Sequence, residues 1–568
     1  ANYATILALA TPANETIKFT GSSTFTGDFG NSNIVVNSGV TLTTTSSKTS
    51  GKLITGAGNV TLTDSSVSVT NINNVSAVTG VVTAVVTEQD ATTLKTLSTN
   101  NSDMITVTMA AASTSAANLN AIDLLTGTSI NATAITELTG TSTAITTALA
   151  SSGITTVTDH SLAVKVDSGT ASVSEINTIN NDSATGVLTA TVTSGAASVL
   201  KALTTTSTDA ITMTVNAEAS SAATQAADLV SLNGKTNQVI TMTAVTSVSG
   251  SYADLLDVYV TNAAQYNGEG DEAVTITGSV TATQADAIAD VTSGVVTATI
   301  NADTAAALNS ALSDAQVNAY TLTISAGSAA ATDLTSLDSK TSVAVNAAAV
   351  TVITGSATEV AAAYAANPTT GITGLGNENV TITGTTVATL AELKAINNAT
   401  SGTITLNAQS ISADYSGLAA DVKAAFAGIT TQTGKITLTD ASVSVTDINT
   451  VAGVTSGEVT ATVTSAAASV LNALTTTSTD AITMTVNAEA SSAATQASDL
   501  VSLNGKTNQV ITMTAVTKVS GSYADLLNVY VTNAGQYNGE GDEAVTITGT
   551  VTATQADAIA DVTSGVVT

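Results

Sequence analysis

The chain has 568 residues, no cysteine, a net charge of −30 and a mean hydropathy of +0.33, and all of its basic residues are lysine. Disulfide stabilisation is excluded, and so is phosphate-tracking binding of nucleic acid, which needs clustered Lys and Arg. Apolar residues make up 43% but aromatics only 2%, so a core of Ala, Val, Ile and Leu must be thin and layered.

Taken in order, residues 4–10 form an apolar run that lacks a basic flank. It falls short of the ~18 residues a membrane span needs, and no other run reaches that length. Residues 1–60 hold Phe19, Phe25 and Phe29, three of the four Phe, among Gly-Ser turns and without a clear helix. They read as an all-β N-terminal cap or assembly segment. Beyond them, alternations of an apolar residue with Thr recur at 60–63, 81–86, 105–108, 187–192, 211–215 and 239–243. Later runs lie at 274–277, 322–324, 380–383 and 404–406. Period-two alternation of β-branched residues signals strands with one buried face. Most neighbouring runs lie roughly 20–35 residues apart, the spacing of stacked coils.

Short helices are expected between the strands. Ser251-x-x-Asp254, Thr283-x-x-Asp286, Ser356-x-x-Glu359 and Thr389-x-x-Glu392 each offer a capping hydroxyl and a carboxylate three residues on. Asn233-Gly234 and Ser293-Gly294 read as helix stops. Because a helix intervenes, consecutive strands should pair parallel. The predicted fold is an α/β repeat solenoid of parallel strands and short helices behind an all-β N-terminal segment. No leucine-rich consensus or Asn ladder is visible, and columns of Thr should line the strand face turned away from the helices. The solenoid is expected over 61–407. Asn367-Pro368 marks a turn, and 408–568 should hold a longer helical coil, with Tyr415 and Phe426, followed by a second long copy.

That copy is the largest repeat in the chain. Residues 186–297 recur as 457–568 with about nine substitutions. The pattern stops mid-coil at Thr568, so the native chain is expected to continue. Within each copy lies one acidic loop: Asn267, Glu269, Asp271 and Glu272 in the first, Asn538, Glu540, Asp542 and Glu543 in the second, spaced by Gly. Oxygen side chains at alternate positions resemble the first half of many calcium loops. Two readings stand, a calcium site and a solvated acidic turn. Tyr252, Tyr259 and Tyr266, repeated as Tyr523, Tyr530 and Tyr537, read as bodies filling a wider coil, with a carbohydrate contact as the alternative.

Catalysis has little to work with. The only histidine, His160, stands beside Asp159 and reads as a surface turn; no thiolate, Walker loop or zinc ligand set is present. No catalytic residue is assigned and no enzymatic activity is expected.

The block from Ser356 to Gly384, with Thr389-Leu-Ala-Glu-Leu-Lys-Ala-Ile-Asn-Asn-Ala-Thr-Ser-Gly-Thr-Ile-Thr and Thr283-Gln-Ala-Asp-Ala-Ile-Ala-Asp-Val-Thr-Ser-Gly-Val-Val-Thr, resembles repeats of giant secreted cyanobacterial cell-surface and surface-layer proteins. The resemblance covers most of 60–568 but not the Gly-Gly-x-Gly-x-Asp calcium nonapeptides common in secreted giants. It implies an extracellular, cell-surface structural protein: a solenoid subunit of a layer, filament or matrix. Such a subunit would self-associate head to tail into a homopolymer, with cell-envelope polysaccharide as a further partner. The alternative is the stalk of a large adhesin. A surface this acidic repels itself and invites divalent cations as glue.

Overall fold

The alternating Thr runs do form strands. The computed structural model describes residues 15–156, 162–182, 186–366 and 371–568. His160, Asp159, Asn367-Pro368 and the apolar run at 4–10 lie outside them. Every described strand pairing is parallel, and short helices separate most successive strands. The architecture is an α/β repeat solenoid in each of two compact units. One comprises Ala1–Gly278 with Ile288–Val296, the other Ser279–Ala287 with Thr297–Thr568.

In the first unit, strands Ser23–Thr24, Thr41–Thr44, Asn59–Leu62, Val82–Val85 and Met104–Thr106 form one sheet in that order. Register places Leu42, Val60 and Val82 side by side as one buried row. The neighbouring row is Thr24, Thr43, Thr61 and Thr83, the expected Thr column. The N-terminal strands fold around Phe25 stacked on Phe29 at 4.3 Å, with Phe19 edge-on to both. Among the described residues of that segment, one helical turn occurs, at Ser46–Thr49. Farther along, helices Ala116–Asp123, Ser142–Ala150 and Val173–Asp182 pack one on the next. They bury Leu119, Ile122, Ile145, Ile176 and Ile179. None of these helices exceeds about three turns, so packing on the strand layer must stabilise them.

The second unit repeats the plan. Gly327–Ala330, Val350–Gly355, Asn379–Ile382 and Ile404–Thr405 form a four-stranded sheet with a Thr354, Thr381, Thr405 column. Helices Ala331–Lys340, Ala357–Ala365 and Leu390–Ala399 cover it. The expected longer helical coil after 407 is instead two short helices, Ala408–Ser412 and Ala419–Ala425, parted by strand Tyr415–Gly417. Tyr415 and Phe426 meet edge to face at 5.0 Å, so the aromatic pair fills the coil that a longer helix would have filled.

The helix ends follow some of the local sequence signals and depart from others. Ser356/Glu359 and Thr389/Glu392 form full capping boxes, and Ser251 caps its helix. The helix Ala282–Ala289 starts two residues earlier than expected: Thr281 and Gln284 form the reciprocal cap, while Asp286 accepts from Ser313. Gly234 follows its helix with φ −74°, a right-handed stop. Ser293-Gly294 is not a stop at all, since the helix ends at Ala289.

What joins coil to coil is a set of buried polar corners. Hydroxyls of Thr126, Thr236, Thr341, Thr400, Thr455 and Thr507 donate to backbone carbonyls of the preceding coil at 2.7–2.8 Å. Carboxylates of Asp103, Asp209 and Asp480 also bond the preceding coil but with the opposite polarity, accepting from the amides of Val82, Leu188 and Val459 at 2.6–2.9 Å. Each bond satisfies a backbone group that burial would otherwise orphan. Asn side chains also bridge coils at Asn73, Asn177 and Asn449, as isolated clips where no ladder was expected.

Candidate functional site

The acidic loop of the first copy follows strand Tyr266–Asn267 and leads into Ala273–Val280. Gly268 (φ +88°) and Gly270 (φ +106°) supply the left-handed bends that curl it, a conformation costly for residues with a Cβ. The curl splits the acidic set. Asn267 and Asp271 are exposed, Glu269 is half-buried, and Glu272 is fully buried. One Glu272 oxygen, Oε2, accepts the Gly270 amide at 2.8 Å and the Tyr259 hydroxyl at 3.3 Å. The other, Oε1, is buried without a partner, as is Oε2 of Glu269. Behind it, the Glu272 carbonyl accepts the Thr292 hydroxyl at 2.8 Å. Gly294 has no room for a side chain: a Cβ there would meet that carbonyl oxygen at 2.0 Å.

Burial pushes the Glu272 carboxyl above the usual carboxylate range, against the pull of its own backbone amide, the Gly270 amide and the Tyr259 hydroxyl. Burial, and then the Glu272, Glu269 and Asp271 charges, push the Tyr259 phenol up as well. No described ion pair compensates the Glu272 carboxylate; the four lie at Lys201–Asp228, Lys394–Asp421, Lys423–Asp447 and Lys435–Glu458.

The second copy reproduces the site. Asn538 and Asp542 are exposed, Glu540 half-buried and Glu543 buried. Glu543 Oε2 accepts the Gly541 amide at 2.8 Å and the Tyr530 hydroxyl at 3.2 Å, and its Oε1 has no partner. Among the described residues no group of three or more His, Cys, Asp and Glu side chains is gathered closely enough to hold a metal ion. The loops therefore offer at most a pair of inward carboxylates each, with the outer acids facing solvent.

Sequence reading missed a third version of the same corner. Gly374-Leu375-Gly376-Asn377-Glu378 bends at Gly374 (φ +85°) and Gly376 (φ +143°). Glu378 is buried, its carboxylate accepts the Tyr364 hydroxyl at 3.2 Å, and its carbonyl accepts the Thr400 hydroxyl at 2.7 Å. Here both carboxylate oxygens accept the Gly376 amide, at 3.0 and 2.8 Å. The signal that could have found it is Gly-x-Gly-Asp/Asn-Glu with a Tyr 13 or 14 residues upstream. Of the Tyr trio, Tyr259 and Tyr266 are buried, the latter donating to the Leu229 carbonyl at 3.1 Å, as their width-filling reading requires.

No family model matches the chain, and no curated protein matches it. Among solved structures, the LRR ectodomain of the Arabidopsis receptor kinase HAESA, in complex with an N-terminally extended IDA peptide hormone, is similar at 11% identity over 92% of this chain and 83% of that chain. Its TM-score is 0.14, too low to carry an argument. The solenoid assignment stands on the parallel ladders alone. No described helix is long and apolar enough to cross a membrane.

Proposed function

We propose that the chain is an extracellular structural protein whose coils associate with those of other copies to build a cell-surface layer, filament or matrix. The observation that supports this best is the inter-coil bonding. Coils satisfy their neighbours' backbone through parallel ladders and, at the corners named above, through buried Thr and Asp side chains. A coil at the end of such a stack carries the same groups unpaired, and an unpaired strand is a template for another chain. Among the described residues, Thr16–Phe19 is such an edge: it pairs only with Asn33–Val36. The acidic surface keeps free subunits apart until an edge engages or a cation screens them.

The test is light scattering and negative-stain electron microscopy of the purified chain and of a variant lacking residues 1–60. Regular assemblies are expected from the first and not from the second, with circular dichroism confirming that the variant's remaining coils stay folded. A chain that remains monomeric at milligram-per-millilitre concentration refutes self-association and favours the stalk of an adhesin.

A further inference from the structure

Three corners of this chain share one backbone device, and two of them carry acids that the device does not need. At the third corner, Leu375 and Asn377 stand where the others have Glu269 and Asp271, or Glu540 and Asp542. The Gly bends, the buried Glu, the Tyr hydroxyl and the Thr–carbonyl bond are all present there without them. The extra carboxylates therefore serve something other than the fold.

What distinguishes the acidic corners is an unmet demand. Where the flanking residues are neutral, both Glu378 oxygens are hydrogen-bonded. Where they are acidic, Glu272 and Glu543 are fully buried, and in each the Oε1 atom has no donor. The carboxylate lies against the loop, because its Oε2 holds the loop's own Gly270 or Gly541 amide. In the first loop, Glu269 adds a second buried oxygen without a donor. A buried carboxylate with an unpartnered oxygen, no described ion pair and further negative charge beside it is destabilised unless it takes up a proton or a cation arrives.

We propose that the loops 267–272 and 538–543 each bind one calcium ion, and that the corner at 374–378 binds none. Glu272 and Glu543 are the anchoring ligands, Glu269 and Glu540 supply the second carboxylate, and Asp271 and Asp542 add outer charge. Calcium suits such a site because it accepts six to eight oxygens in flexible geometry and completes its shell with backbone carbonyls and water. Magnesium requires a stricter octahedron and sheds water reluctantly, so it competes poorly. With so few protein carboxylates, affinity belongs in the range of extracellular modules, roughly 10⁻⁴–10⁻³ M.

The experiment is calorimetric titration of the full chain with calcium chloride, paired with ultraviolet difference spectra. The chain has no Trp, and Tyr259 and Tyr530 are bonded to the anchoring carboxylates, so filling the sites should perturb tyrosine absorbance. Two ions per chain are expected, with at least tenfold weaker response to magnesium. The variant Glu269→Leu, Asp271→Asn, Glu540→Leu, Asp542→Asn rebuilds both loops on the 374–378 pattern. It should fold and bind no calcium in the same range. Glu272→Gln with Glu543→Gln is the second variant, expected to lose both ions while keeping the amide and Tyr bonds. No saturable heat up to about 10 mM calcium, or two ions still bound by either variant, overturns the proposal; unsaturable binding that no variant alters marks diffuse counter-ions and overturns it equally.

Discussion

Gly402 sits at the seam between two coils, and replacing it by Ala tests how tightly they are stacked. Its φ is ordinary, so only space is at issue. A Cβ at this position would lie 2.1 Å from the Glu378 carbonyl oxygen, 2.4 Å from its carbon and 2.8 Å from the Asn379 nitrogen. A close carbon–oxygen contact is about 3.3–3.6 Å, so the coils must part by about 1 Å. Among the bonds that cross that seam, three lie beside Gly402: Thr400 Oγ1 to the Glu378 carbonyl at 2.7 Å, the Thr403 amide to Asn379 Oδ1 at 2.9 Å, and the Val380 amide to the Thr403 carbonyl at 2.8 Å. At about 1 kcal/mol each, their loss costs about 3 kcal/mol. Gly535→Ala is the control. Nothing lies within 4 Å of its Cβ position, and the first copy already has Ala264 there. That change should fall within about 0.5 kcal/mol of the parent. Because stacked coils can unfold piecemeal, urea unfolding should be combined with hydrogen exchange at residues 376–382 and 400–405. If Gly402→Ala and Gly535→Ala prove equally mild, the seam is slack and the close-stacking argument is wrong.

The capping register of helix Ala282–Ala289 can be checked by comparing Thr281→Ala, expected to cost about 1 kcal/mol, with Thr283→Ala, expected to be nearly neutral; the reverse order in thermal melts would restore the original sequence reading. Lys201→Asn should cost less than about 1 kcal/mol, since the Lys201–Asp228 pair is replaced in the second copy by an Asn472–Asp499 hydrogen bond of 3.2 Å. A larger loss in urea titration would mean the ion pair is not interchangeable with it. Glu175 accepts the Ser172 amide and the Ser142 and Ser172 hydroxyls, which hold its carboxyl below the ordinary value of 4.5. An acid whose folded pKa is depressed stabilises the fold above its unfolded pKa and loses that contribution as pH falls through the folded value. Glu175→Gln should therefore be less stable than the parent at neutral pH, by about 1 kcal/mol or less, with the gap closing as pH falls below the usual carboxylate range; a gap that persists in acid would place the loss in packing.

Alternation made the strands legible wherever Thr faces the half-exposed side. It was silent for Ser247–Gly250 and Gly327–Ala330, where Gly, Ser and Ala leave no apolar contrast although Val248 and Ala329 are buried. Helix starts were readable from hydroxyl–carboxylate spacing, and failed at Thr281 because the reciprocal partner there is Gln284 rather than an acid. Ser293-Gly294, within Thr292-Ser293-Gly294, reads locally as a helix stop. The Thr292 and Ser293 hydroxyls instead bond the carbonyls of Glu272 and Gly270 in the preceding coil, a long-range role that no local rule encodes. The acidic loop was visible as composition, but the inward turn of Glu272 was not. That turn depends on Tyr259, which lies in the π-helical turn Asp257–Thr261 within the same coil.

The two long copies rest on different predecessors: Leu188 aligns with Val164, while its counterpart Val459 aligns with Ile436. Two of the differences between copies fall at this junction, and there Glu458 forms a 3.0 Å ion pair with Lys435 where the first copy has an exposed Val187. A block of coils can thus be spliced onto a foreign neighbour by retouching the residues of a single joint. Length in such a molecule is a quantity that gene duplication can add or delete in whole coils, leaving the interior bonding rules of every coil intact.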